Sequence, residues 1–453
     1  MLPEALADCF RPSRLWTSFR EVPLFTGVGD HAGMPFLNGA VTYARFAVTG
    51  EAPEVLDQSI IDAFAANPAK PTPFGVPNGP ETGWTAGRHI LDQTFEFNTM
   101  CFDGWVHAAM RLDVVRVPPE VKRAYVAVAE AARTNALEPD QPCWLSRAAR
   151  KEAREEAKEQ WEREVSDGRY RASKLVPILW NPERRILLSP ATTDSVAAPL
   201  RDLFTATFGG RLEQRSAGSL AVDLLATRGM LTDFEDARPD NLGQQPPSGG
   251  SGIPEVPWAS GGSEPKDFLG NSFLMWLWWR GDVNEGLFDL ADGTNISVAL
   301  DRSIESECGW GITGRQSLNG NAPSRWAEAS IATLAGKLPR RIGLIVSDGV
   351  QEWNCSLQGD RFVVSGLRLP RPDEPAETPQ EAALERIGSI SSFDSAMTDL
   401  YSVFLDERFS SRWSVSRSSI AEWISQRSRP RGGFANESIL KADTSPTVPI
   451  HSK

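Results

Sequence analysis

Along the first half of the chain, short apolar runs switch between an alternating pattern and one that repeats about every 3.6 residues. AVTYARFAV, from Ala40, alternates as a strand, and APEVLDQSIIDAFAANP, from Ala52, has helical spacing closed by Pro68. WVHAAMRLDVVRV, from Trp105, reads as a second strand, and PPEVKRAYVAVAEAA as a helix opened by two prolines. KLVPILWNPERRILLSP predicts a hairpin turning at Asn181 and Pro182. TTDSVAAPLRDLFTATFG predicts a helix with Thr193 or Asp194 as N-cap and Gly209 just past its end. This alternation defines an α+β domain over residues 39–229, preceded by an irregular lead-in over 1–38.

Residues 230–266 are dominated by Gly, Pro, Ser and Asp, the composition of a flexible loop. DFLGNSFLMWLWWRGD follows, a helix whose apolar residues cover almost its whole circumference. It is too short for the roughly 20 residues of a membrane span. It reads either as a core helix or, through Phe273, Trp276 and Trp279, as part of a dimer interface, where tryptophan is favoured. A strand-rich stretch from 286 to 369 and two closing helices complete a second α+β domain over 267–427, with a disordered tail at 428–453.

Between the two helical signals of the first domain lies SRAARKEAREEAKEQWEREV, residues 146–165, with no Gly or Pro inside it. At ~100° per residue, Arg147, Arg150, Lys151, Arg154 and Lys158 fall within an arc of roughly 100°. Glu152, Glu155, Glu156, Glu159 and Glu162 occupy the next arc; Ala149, Ala153, Ala157 and Trp161 form a third, packing face. Such a helix is either solvated and laced by ion pairs or has an anion along its basic side.

Charge sharpens the choice. The chain carries 47 basic and 59 acidic residues, a net charge of −12, so any anion site is a local patch. Between Arg111 and Arg185, 16 Lys and Arg stand against 13 Asp and Glu. A second basic patch, six Arg against the single Glu422, runs from Arg408 to Arg431. It reads as a second anion contact or as a tail held by acidic surface. The five cysteines are scattered without a CxxC pair, which fits free thiols in a reducing cytoplasm.

Catalytic signals are sparse. His31, His89, His107 and His451 lack metal-ligand spacing. No GxxxxGK[ST] loop or GxSxG elbow occurs, and GVGDHAG lacks the strand and helix of a dinucleotide loop. A binding protein without cofactor is the expectation.

VPPEVKRAYVAVAEAA, the charged helix and then GRYRASKLVPILWNPERRILLSPATTDSVAAPLRDLFTATFGGRLEQRSAG resemble, in order and texture, the recombination-associated protein RdgC family. FLGNSFLMWLWWRGD resembles a Phe-Leu-x-Trp-Leu-Trp signature of its longer members. The resemblance covers residues 40–225 and, more loosely, 266–425; residues 1–38 have no counterpart and 230–266 look inserted. It implies an RdgC-like α+β fold of mixed helices and antiparallel sheets in two or more subdomains, forming a ring-shaped homodimer. Such a ring encircles double-stranded DNA with little sequence preference, restrains RecA-promoted recombination and is cytoplasmic and nucleoid-associated, with no membrane partner. Its inner wall would carry Arg147, Arg150, Lys151, Arg154 and Lys158, continued by Arg169, Arg171 and Lys174, as phosphate contacts. Tyr170 reads as a stacking residue or a packed one. Two readings compete: a metal-dependent exonuclease whose carboxylates converge only in three dimensions, and a protein–protein scaffold without DNA affinity.

Overall fold

In the computed structural model, residues 36–70, 80–136, 144–250, 252–259, 266–372 and 374–427 are described. In chain order, β1 (Val41–Gly50), α1 (Gln58–Ala66), β2 (Glu81–Thr85), α2 (Phe97–Met100), β3 (Cys101–Phe102) and β4 (Trp105–Val115) come first. They are followed by α3 (Pro119–Asn135), α4 (Arg147–Ser166), β5 (Arg171–Asn181), β6 (Ile186–Ser189), α5 (Asp194–Phe208), β7 (Gly210–Gln214) and α6 (Ala217–Ala226). Then come α7 (Leu231–Asp236), α8 (Phe268–Val283), β8 (Leu287–Asp289), β9 (Asn295–Cys308), β10 (Gln316–Asn319) and α9 (Ala327–Leu334). The chain closes with β11 (Lys337–Ser347), β12 (Glu352–Gln358), β13 (Val363–Arg368), α10 (Pro379–Arg408) and α11 (Trp413–Arg427).

The expected α+β class holds. The strands form one antiparallel sheet in the order β10-β9-β11-β12-β13-β1-β6-β5-β4-β2, with β3, β7 and β8 paired off this path. β1 is the junction. Val41 and Tyr43 pair with Leu367 and Val364 of β13, and Ala44 to Ala47 pair with Ser189 to Ile186 of β6. The segments 39–229 and 267–427 thus share a sheet.

β1 is buried on both faces, so the alternation in its sequence does not separate a core face from a solvated one. Ala44, Phe46 and Val48 enter a core with Phe64, Trp84, Trp180 and Phe204, under α1 and α5. Val41 and Tyr43 enter a larger core made by α8, α10, α11 and the C-terminal strands. On that side Arg45 forms a buried ion pair with Asp394 of α10.

The first helix starts at its cap. α1 begins at Gln58, later than its apolar spacing suggests, because Asp57 accepts from the Ser59 N–H at 2.9 Å. α5 ends, as expected, where Gly209 adopts φ 76°.

The Trp-rich helix corrects one expectation. A helix apolar all round is a buried helix, and Phe273 and Trp276 of α8 are completely inaccessible. Phe273 meets Tyr401 with ring centroids 5.1 Å apart, and Trp276 meets Phe288 at 4.9 Å and Phe404 at 5.6 Å. Those two side chains are in the chain's own core and offer no surface to a second copy; Trp279 is half-buried against the same core.

The stretch 230–266 also differs from a flexible loop where it is described. It carries α7, and Phe234, Leu242 and Val256 are buried anchors. Its backbone is held by neighbours: Gln245 N–H donates to Leu334 O at 2.9 Å and Val256 N–H to Gly309 O at 2.8 Å. Glycine and proline there permit an irregular path whose polar groups are satisfied from outside.

Just before α8, Asp267 accepts from the Gly218 N–H at 3.0 Å. Burial raises its carboxyl to about 6, against the opposing pull of Ser216 and that N–H. A carboxyl pKa raised in the folded state means the native form holds the proton more tightly. Stability from this group is therefore present at pH 4 and lost as pH rises to about 6. Asp267→Asn, which keeps the acceptor, should gain on the wild type by on the order of 1–3 kcal/mol between pH 4 and 7. Urea midpoints at the two pH values check this; a pH-independent offset would count against it.

Candidate nucleic-acid interface

β4 and β5 pair along their full length, Val106–Val115 against Arg171–Trp180, and α3 and α4 are inserted at the end of that ladder as a helical arm. Pro119 opens α3, and Ser146 caps α4 by accepting from the Ala149 N–H at 3.1 Å. The two helices pack chiefly on each other. Their seam is thin: Ala129 of α3 and Ala153, Ala157 and Val165 of α4 are its buried residues.

This is the small-residue face expected of the charged helix. Trp161 extends it, half-buried with the Lys122 ammonium 5.7 Å from its ring. The acidic face is used in part by the arm itself, since Arg133 of α3 pairs with Glu156 and reaches Glu152 at 4.0 Å. Steps of four residues advance the seam by ~40° each turn. By Trp161 and Val165 it has swung into the sector of the basic face, which is why that face ends at Lys158.

Arg147, Arg150, Lys151, Arg154 and Lys158 are all exposed, as one stripe about 16 Å long at 1.5 Å per residue. Lys151 and Lys158 are paired with Glu155 at 3.7 Å and Glu162 at 3.5 Å. Among the described residues, Arg147, Arg150 and Arg154 have no carboxylate within 4.0 Å. Their position is unfavourable for the helix alone. Arg147 and Arg150 lie in the first turn and a half, at the positive end of the macrodipole, with no acidic residue in the first turn to compensate. Arg150 and Arg154 add a like-charge pair at i,i+4.

The remaining expected contacts do not extend the stripe as one wall. Arg169 is drawn to Glu164 at 2.5 Å, in a turn where Gly168 and Tyr170 have φ 89° and 63°. Glu164 also accepts from Tyr125 and Tyr170, which hold its carboxyl below the ordinary value. Tyr170 is thus half-buried and bonded, the packed reading. Arg171 and Lys174 stand three residues apart on β5, so their side chains leave opposite faces of the sheet. Lys174 lies opposite Leu112, and Arg171 opposite Val115.

Three of the four described C-terminal arginines are engaged internally, while Arg412 is exposed and, among the described residues, reaches only Ser410, at 3.4 Å. Arg408 and Arg417 meet Asp240 at 3.0 and 3.7 Å, and Arg427 pairs with Asp282 while its guanidinium covers the Trp278 and Trp423 rings. That matches a segment held by acidic surface; Arg429 and Arg431 lie outside the described residues.

One residue escaped the sequence reading. Trp144, two positions before the Ser146 cap, is 68% exposed. The sequence carried little signal for it: it lies outside the helix and belongs to no periodic face.

Among the described residues no group of three or more His, Cys, Asp or Glu side chains converges, and no helix is long and apolar enough to cross a membrane. The chain matches no family model and none of the curated proteins.

Proposed function

We propose that the protein binds double-stranded DNA through its phosphates, with Arg147, Arg150 and Arg154 of the arm as the principal contacts and Lys151 and Lys158 as secondary ones. The observation that carries this reading is the placement of three exposed arginines, without a carboxylate partner among the described residues, where the macrodipole (Arg147, Arg150) or a like charge four residues away (Arg154) disfavours positive charge. Phosphates along the stripe would relieve both the macrodipole and the mutual repulsion. Contacts of this kind carry no base information, so binding is expected to be tolerant of sequence.

The wider role, a nucleoid-associated homodimer that encircles DNA and restrains RecA-promoted recombination without catalysis, rests on the RdgC resemblance. With Phe273 and Trp276 in the core, the contact between copies would use another surface.

Fluorescence anisotropy on a labelled duplex, in the absence of divalent metal and across a NaCl series, tests the binding step. Binding should fall on a log–log salt plot with a slope of about −3 or steeper, at ~0.9 per phosphate contact. No binding at ~50 mM salt would leave the scaffold reading in its place. Loss of DNA ends only on addition of Mg²⁺ or Mn²⁺ would favour the nuclease.

A further inference from the structure

We infer that Trp144 is a base-stacking residue, so that the arm favours DNA with an unpaired base over continuous duplex; this rests on the DNA-binding reading above. Among the described residues Trp144 is the only exposed tryptophan; every other one is buried or half-buried. Its neighbour Leu145 is buried and Ser146 is fixed as the cap of α4, so the chain is anchored immediately after the indole and leaves it outside. A tryptophan side chain presents on the order of 150–250 Å² of mostly apolar surface. Leaving that surface in water forgoes a sizeable hydrophobic gain.

The chemistry around it selects the partner. Arg147 follows three residues on, with Arg150 and Arg154 behind it on the same helix. An aromatic platform beside cations that hold a phosphate backbone is the combination that binds unpaired nucleotides. In continuous duplex both faces of each base are covered, and exposing one requires unstacking. A gap or bulge offers that face without this penalty, and the preference follows. A second copy of this chain is the other partner an exposed tryptophan suits. A two-fold contact at Trp144 would, however, bring two Arg147–Arg150 groups together, and like charges oppose it.

The test uses the full chain as wild type, Trp144→Ala and Trp144→Phe. Anisotropy is read at one NaCl concentration on a continuous duplex and on the same duplex with a short single-stranded gap. The wild type should bind the gapped DNA about 5- to 150-fold more tightly, the value of one stacked base. Trp144→Ala should bring that ratio close to one while continuous-duplex affinity stays within about twofold, since an exposed substitution leaves the fold intact. Trp144→Phe should keep part of the preference. Equal affinity of the wild type for both DNAs overturns the inference and leaves duplex binding standing. So does equal weakening of both by Trp144→Ala, or a change in its sedimentation that marks a contact between copies. Wild type that binds neither DNA defeats the DNA-binding reading itself, and Trp144's role with it.

Discussion

Reversing Arg147, Arg150 and Arg154 to Glu is expected to weaken duplex binding by about 10²- to 10³-fold at ~0.1 M salt. The log–log salt slope should become shallower by about three, one for each phosphate contact removed. Two of these substitutions place carboxylates in the first turn and a half of α4, where the macrodipole favours them, and Arg154→Glu stands four residues before Lys158, so the helix itself should be as stable or more so. That opposition of signs separates lost contacts from a lost fold. Circular dichroism and the urea midpoint should hold or rise while anisotropy collapses. Lys151→Gln should matter less, because Lys151 is already shared with Glu155. An unchanged slope in the triple variant would remove the stripe from the DNA face.

Asp394→Ala should produce the largest loss of stability, about 3–5 kcal/mol, because it leaves a buried guanidinium without its counter-charge. Arg45 is 6% exposed and Asp394 7%. Asp394 also accepts from the Tyr43 hydroxyl at 3.2 Å, and burial together with that carboxylate holds the Tyr43 phenol well above its ordinary range. All three groups lie between β1 and α10, so the lesion falls where the first part of the sheet meets the closing helices. Replacing both partners, Arg45→Met with Asp394→Leu, should recover most of the loss, since an apolar pair needs no compensation there. Urea denaturation followed by far-ultraviolet circular dichroism reads both variants. A single-variant shift below ~1 kcal/mol, the range of an exposed ion pair, would mean that water reaches Arg45.

Much of the arm was legible in the amino-acid sequence, because its information is local. The Ala149–Ala153–Ala157–Trp161 face and the separate basic side both follow from spacing within one helix. The limits of the stripe were less so. That Arg171 and Lys174 leave opposite faces of β5 follows from simple alternation once the strand is known to begin at Arg171. Partners distant in the chain were out of reach. Nothing near Trp276 announces Phe404, and nothing near Arg408 or Arg427 announces Asp240 and Asp282. The stretch after Gly229 looked like a linker because composition counts glycines and prolines. It does not show that Phe234, Leu242 and Val256 find sites in a core assembled from other elements.

The ladder between β4 and β5 closes with Val115 facing Arg171, a separation of about 5 Å between Cα atoms. The chain therefore enters and leaves the arm through a doorway no wider than a hairpin turn. Everything beyond that doorway can be lengthened, shortened or recharged by mutation with little demand on the sheet or on either core. Changes in the length or charge of the arm can then accumulate in this appendage while the sheet and both cores keep their own packing.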